Sequence, residues 1–333
     1  MKYRRLGSSH LEVSELCLGT MMFGDQTDAA ASADIVAAAR ERGVNFVDTA
    51  DVYGTGASER ILAPLLAPDR DRWVLATKLG NRMSNTPNEG RYSRKWVVRA
   101  AEDSLRRLGT DYLDVYYLHR DFEEMPLEEP LRALDDLIRA GKVRYWGLSN
   151  HRGWRIAEAV RVADAIGMPR PVVCQPYYNL LNRMPENEII PACANYGLGV
   201  VPYSPIARGV LTGKYAPGQP APEGTRAARK DARMMQTEWR PESLEIARRL
   251  QAHAQARGLG LGQFAVAWVL ANRPVSSVIA GPRTLEQWLD YFGAIGFAWS
   301  AEDEAAVDAL VAPGHPSTPG YSDPAYPLTG RRV

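Results

Sequence analysis

Four side chains suited to proton chemistry fall at the ends of short apolar runs. In NFVDTADVYG, Asn45 to Gly54, Asp48 closes such a run and Tyr53 follows on a glycine-marked turn. Lys78 closes WVLATK, and His119 closes YLDVYYLH. Each has an ordinary alternative. Asp and Gly are common turn residues, Lys78 would suit a strand end reaching water, and His119 a satisfied turn. Taken together the set makes chemical sense. A free tyrosine has a pKa of about 10, too high for ready proton exchange at neutral pH. A neighbouring ammonium favours the tyrosinate and lowers that pKa. A desolvated lysine needs a counter-charge, which Asp48 would supply. His119 would hydrogen-bond a carbonyl oxygen and orient it. Tyr53 would then be the general acid when a carbonyl is reduced, and tyrosinate the base in reverse.

Residues so far apart in the chain can meet only if the fold gathers strand ends. Tyr3 to Leu6 and Leu11 to Val13 flank Gly7-Ser8-Ser9 and predict a hairpin. Eight strands then follow, at Leu16 to Thr20, Asn45 to Asp48, Trp73 to Lys78, Tyr112 to Leu118, Val143 to Leu148, Val172 to Gln175, Gly199 to Ser204 and Val275 to Ala280. Helical patterns separate them, at Asp28 to Arg42, Ser58 to Leu66, Ser93 to Gly109, Pro126 to Ala140, Trp154 to Ile166 and around Asn187 to Tyr196. A long loop from Pro205 to Arg240 precedes helices at Pro241 to Arg257 and Gly262 to Ala271. A capping-box pattern, Thr284 with Gln287, opens the helix after the eighth strand. Ser300 to Val311 reads as one extra helix.

Alternating strands and helices imply a parallel sheet. Eight repeats with no composition break favour one domain over residues 1–333. We expect a (β/α)8 TIM barrel with an N-terminal β-hairpin and extra C-terminal helices. A doubly wound open sheet would carry GxGxxG after its first strand, and that turn reads GTMMFG. In a barrel, inward positions alternate. Val74, Ala76 and Lys78 share parity, as do Leu113, Val115, Tyr117 and His119. Lys78 and His119 would therefore crown interior columns at the rim where barrel active sites sit.

Composition narrows the function. Of 333 residues 45% are hydrophobic, enough for a large core, and the net charge of +1 draws the protein neither to nucleic acid nor to anionic membrane. Cys17, Cys174 and Cys193 show no CxxC spacing, which argues against disulfides and zinc and for core packing. With no secretory signal and no membrane-length apolar run, the sequence reads as a soluble, reduced, cytoplasmic protein. A metal-dependent barrel enzyme fits poorly, because only His119 of the five histidines lies at a strand end with acidic company.

The ordered series NFVDTADVYG, LATK, YYLH, YWGLSN, CQPYYN, VPYSPIARGVLTGKY and IAGPRTLEQ resembles the aldo-keto reductase superfamily, especially its bacterial branch related to potassium-channel β-subunit-like proteins. The resemblance covers nearly the whole chain. It implies that Asp48, Tyr53, Lys78 and His119 are the family's catalytic tetrad. It also implies NADP(H), bound extended across the barrel mouth.

By the same resemblance Ser149, Asn150 and Gln175 meet the nicotinamide carboxamide, which suits amide and hydroxyl side chains. Tyr203 would stack on the nicotinamide ring. Ser204, Ile206, Arg208, Gly209 and Lys214 would serve the pyrophosphate. Gly281, Arg283 and Gln287, at a helix start, would hold a ribose phosphate, and Asp290 would lie beside the adenine. Tyr291 departs from the family, where Asn is common. Met22, Phe23, Asn81 to Tyr92 and Arg120 are possible substrate contacts, and surface filling is an equal alternative for most of them. The implied partner is a small carbonyl or alcohol substrate, with homo-oligomerisation left open. Two functions follow from the resemblance. One is an NADP(H)-dependent aldehyde or ketone reductase, and the other a cofactor-holding regulatory module.

Overall fold

The computed structural model describes residues 1–327. In chain order the elements are β1 Tyr3–Arg5, β2 Glu12–Ser14, β3 Leu16–Gly19, α1 Ala29–Glu41, β4 Phe46–Asp48, α2 Ala57–Leu66, β5 Val74–Leu79 and α3 Arg94–Leu108. Next come β6 Leu113–Leu118, α4 Glu128–Arg139, β7 Val143–Ser149, α5 Gly153–Ile166, β8 Val173–Gln175, α6 Ile189–Tyr196 and β9 Gly199–Val200. The last are α7 Ala232–Thr237, α8 Pro241–Ala256, α9 Leu261–Ala271, β10 Val278–Ala280, α10 Leu285–Asp290 and α11 Ala301–Asp308. By contacts the chain divides into two compact units.

The first unit comprises Met1–Tyr177, Glu188–Tyr203 and Asn272–Asp290. It holds the expected architecture. Eight parallel strands are ordered β10-β3-β4-β5-β6-β7-β8-β9. The ends of that order are joined by backbone hydrogen bonds: Val200 N to Pro274 O, Ser276 N to Val200 O, and Ile279 N to Pro202 O. Closure leaves no strand edge to aggregate. The strands are buried on both faces, as a helix-covered parallel sheet requires.

Alternation places Cys17, Phe46, Val74, Ala76, Val115, Tyr117, Val173, Val201 and Ile279 in one apolar cluster with Leu6 and Val13 of the hairpin. The hairpin thus contributes to the core. Its turn must pass very close to other backbone. Gly7 has φ +61°, and a Cβ there would lie 2.5 Å from Gly197 O and Gly199 N.

Helix boundaries follow local chemistry. Asp28 caps α1 through Ala31 N, and Ser93 caps α3 through Trp96 N. Gly109 and Gly167 end α3 and α5 in the left-handed region, where glycine carries no Cβ penalty. Two of the expected strands are shorter than their sequence patterns. Pro202 interrupts the seventh, which leaves only Gly199–Val200 in regular pairing and a single bridge at Tyr203. The eighth is preceded by a single bridge at Val275.

The second unit comprises Tyr178–Asn187, Ser204–Ala271 and Tyr291 onward. The loop expected from Pro205 to Arg240 contains a 3-10 turn, Ala207–Thr212, and the helix α7. Asp231 caps α7 through Met234 N, a signal hidden among charged and small residues. Arg183 binds Glu186, Asp308 and the Val311 carbonyl, tying separate stretches of this unit together. On α8 and α11, His253 Nε2 and Arg257 meet the buried Asp303 at 2.8 and 2.9 Å. Asp303 also completes a capping box with Ser300. These donors outweigh burial and hold the Asp303 carboxyl down at about 2.

Candidate active site

β4 ends at Asp48, but its pairing continues. Thr49 N donates to Ala76 O at 2.9 Å, and Asp51 N to Lys78 O at 3.2 Å. Buried hydroxyls pin the turn from beneath: Thr20 Oγ1 reaches Asp48 O, and Ser58 Oγ meets both Thr20 and Thr49. After Tyr53 the chain runs through Gly54, Thr55 and Gly56, all at positive φ. Thr55, β-branched at φ 51°, is held against its preference. The result fixes the phenol over the end of β5.

Lys78 has no solvent exposure. An ammonium has three donors, and each is used. One goes to Asp48 Oδ2, one to Thr49 O at 2.7 Å, and one to Tyr53 Oη at 3.3 Å. Asp48, 2% exposed, also accepts from Gln175 Nε2 at 2.8 Å. Burial alone would push the lysine down, but Asp48 and then Tyr53 turn its pKa up, so it stays an ammonium. For Asp48, burial pushes the carboxyl up while Lys78 and Gln175 pull it back. The contact geometry is that of a buried ion pair.

The phenol differs from the simplest expectation. Burial raises the Tyr53 pKa, Lys78 opposes it, and the net direction is up. The ammonium acts with the expected sign, but desolvation is the larger effect. Tyr53 is therefore a protonated phenol whose oxygen already accepts from Lys78, leaving its own proton to donate.

His119 meets Tyr53 edge to face, with ring centroids 6.0 Å apart. Burial first, then Lys78 and Arg120, hold the imidazole well below its usual range, so it is neutral. Asn81 Nδ2 lies 3.0 Å from its Nδ1. An amide nitrogen can only donate, so with the amide oriented this way Nδ1 accepts and the proton sits on Nε2. His119 thus offers an N–H donor. Asn81 appeared in the sequence only within a loop of candidate substrate contacts. Its pairing with His119 depends on how the Gly80 turn folds, which the residue type does not reveal.

Four further residues of the expected set end strands of this unit. Ser149 Oγ donates to Gln175 O at 2.9 Å, and Asn150, at φ 60°, donates to the His119 carbonyl at 2.8 Å. Tyr203 Oη donates to Asn150 Oδ1 at 2.8 Å. These bonds, with one from Asn150 Nδ2 to Ser149 Oγ at 3.0 Å, tie Ser149, Asn150 and Tyr203 into one cluster at the strand ends. Gly281 is exposed, and the backbone N–H of Arg283 donates to Gln287 Oε1 at 3.0 Å. Gln287 N in turn reaches Thr284 Oγ1, so one half of the capping box forms and the other is displaced by one residue. α10 spans only six residues, and Asp290 is exposed at its end. Of the candidate substrate contacts, Phe23 is wholly buried.

Ser204, Ile206, Arg208, Gly209 and Lys214 belong to the second unit. Ser204, Arg208 and Gly209 have positive φ, which makes a tight chain reversal. The Arg208 guanidinium is paired with the buried Glu238 at 3.1 Å. Lys214 is exposed, with Nζ over the Tyr215 ring.

Fold and site together define a (β/α)8 barrel whose strand ends carry a tyrosine-centred acid–base cluster. The aldo/keto reductase family matches residues 15–312, and the chain belongs to it. A rice protein named as a probable voltage-gated potassium channel subunit beta is 38% identical over 288 residues, covering 84% of this chain and 87% of the relative. An uncharacterized oxidoreductase, YrpG of Bacillus subtilis, is 35% identical over 314 residues, covering 91% and 93%. A putative channel subunit beta of Schizosaccharomyces pombe is 34% identical over 308 residues, covering 89% and 88%.

Proposed function

We propose that this protein is an NADP(H)-dependent oxidoreductase that interconverts aldehydes or ketones and alcohols. The observation that carries this reading is the use of all three Lys78 donors, one of them on Tyr53 Oη. Bound NADPH would supply hydride. The chain's own residues would handle the proton and the geometry. His119 Nε2–H orients the carbonyl oxygen. Tyr53 gives that oxygen its proton, and the tyrosinate left behind is stabilised by the ammonium already bonded to it. Asp48 keeps Lys78 charged throughout. In the reverse direction the same tyrosinate accepts the alcohol proton.

Ser149, Asn150 and Gln175 would hold the carboxamide and Tyr203 the ring. Gly281, Arg283, Gln287 and Asp290 remain the candidates for the adenosine end. Replacing Tyr53 by Phe should leave NADPH binding, followed by cofactor fluorescence, nearly intact. It should lower turnover of a small aldehyde about 100-fold or more, within the range general acids contribute. Wild-type turnover in that variant would overturn the assignment.

The names of the rice and fission-yeast relatives favour a second reading, a cofactor-holding subunit of a channel. Rapid mixing of NADPH-loaded protein with a panel of aldehydes separates the two. Oxidation of the bound cofactor supports the enzyme, and a silent panel supports the subunit.

A further inference from the structure

Asp51 lies between two members of the cluster, three residues after Asp48 and two before Tyr53, yet takes no part in it. It is 1% exposed, and neither carboxyl oxygen has a hydrogen-bond partner. Only its backbone is tied down, to the Lys78 carbonyl. A buried carboxylate with no side-chain donor and only the adjacent Val52 N–H near it carries a desolvation cost that a neutral carboxylic acid avoids.

The surroundings do not rescue the charge. Lys78 has no donor left. On α2, Glu59 is fully buried and engages Arg107, the cation that acts most on Asp51: Arg107 Nε donates to Glu59 Oε2 at 2.6 Å, and Thr77 Oγ1 to Glu59 Oε1 at 2.6 Å. On β6, the buried Tyr116 hydroxyl is also without a partner. The titratable and charged groups in electrostatic reach of Asp51 are Glu59 from α2, Arg107 from α3, Lys78 from β5, Tyr116 from β6, Tyr92 from the loop after β5, and Tyr53 itself. Burial first, and then Glu59, push the carboxyl up to about 8, against the opposing pull of Arg107, the neighbouring Val52 N–H and Lys78.

We propose that Asp51, a buried carboxyl with no side-chain partner beside the Lys78–Tyr53 pair, is a positioning residue whose negative charge, once formed, keeps Tyr53 protonated. The inference rests on Tyr53 being the proton donor. Asp51 loses its proton to solvent first. The negative charge it gains then opposes formation of a second one on Tyr53. Tyr53 consequently remains a donor to higher pH than the Lys78 ammonium alone would allow.

The test is Asp51→Asn, close in shape and never charged. In carbonyl reduction, the alkaline fall of kcat/KM should move to lower pH by about one unit, the scale of one unit charge acting over roughly 10 Å through an effective dielectric of about 20. In alcohol oxidation the alkaline rise should move the same way. A merely structural role would scale the whole profile without displacing its bend, and superposed normalised profiles would overturn the proposal.

A second readout needs no substrate. Wild-type protein at neutral pH should show the infrared carbonyl band of a protonated carboxylic acid, and Asp51→Asn should lack it. If Asp51→Asn does not fold, Glu59→Gln replaces it. Removing that neighbouring charge should make the same band vanish at lower pH than in wild type, and an unmoved band counts against the proposal. Because the infrared result is independent of turnover, it stands even if Tyr53 proves not to be the acid.

Discussion

Replacing Lys78 by Met removes the only cation that, among the described residues, touches a carboxylate that is 2% exposed. Gln175 alone would remain on Asp48. Breaking a buried ion pair from one side costs about 3–5 kcal/mol, because the other charge stays buried and uncompensated. In Lys78→Met with Asp48→Asn no charge is left behind. Gln175 still finds an amide oxygen, and the main loss is a donor for the Thr49 carbonyl, about 1–3 kcal/mol. The double variant should therefore be more stable than Lys78→Met by about 2 kcal/mol, the difference between those ranges. Urea unfolding of wild type and both variants, with slopes compared, reads this directly. Activity should not return with stability. Both variants lack the donor to Tyr53 Oη, and a charged hydrogen bond of about 1.5–3 kcal/mol corresponds to roughly a 10- to 100-fold loss of turnover. Two outcomes refute the reasoning: a double variant no more stable than the single, or one whose turnover recovers along with its stability.

Asn81→Leu should free the His119 Nδ1 and let the imidazole sample both neutral tautomers. Turnover should fall about 10-fold, and imidazole nitrogen chemical shifts should show the mixture; a single unchanged tautomer would remove Asn81 from the account. The second unit carries its own pH dependence. The folded Asp303 carboxyl is depressed to about 2, so its stabilisation is fully present above the ordinary unfolded value near 4 and is lost as pH falls through about 2. Urea midpoints measured from pH 6 downward should therefore converge for wild type and Asp303→Asn near the acid end, and parallel curves would contradict this.

Much of the barrel was legible because two periodicities agree. Period-two alternation placed Val74, Ala76, Val115 and Tyr117 inside, and the structure packs all four in one cluster. A polar residue that closes an apolar run and keeps its inward parity is thereby placed at the rim, which is how Lys78 and His119 became candidates. What alternation cannot say is how a side chain is partnered once it is buried. The Tyr53 pKa shows this. The sequence identified the cation that would lower it, but not the desolvation that outweighs that cation.

The same gap explains the helix α7, whose Asp231 cap looks like any other charge in a polar loop. It explains Asp51 most clearly. In DTAD, Asp48 and Asp51 are the same residue type on one short turn, and nothing in their spacing separates them. One meets an ammonium and an amide. The other meets no side-chain donor, because the Arg107 guanidinium that acts on it is engaged by Glu59. The chemistry of a carboxyl is decided by the side chains that surround it, and those come from β5, β8, α2 and α3 rather than from its own stretch of chain.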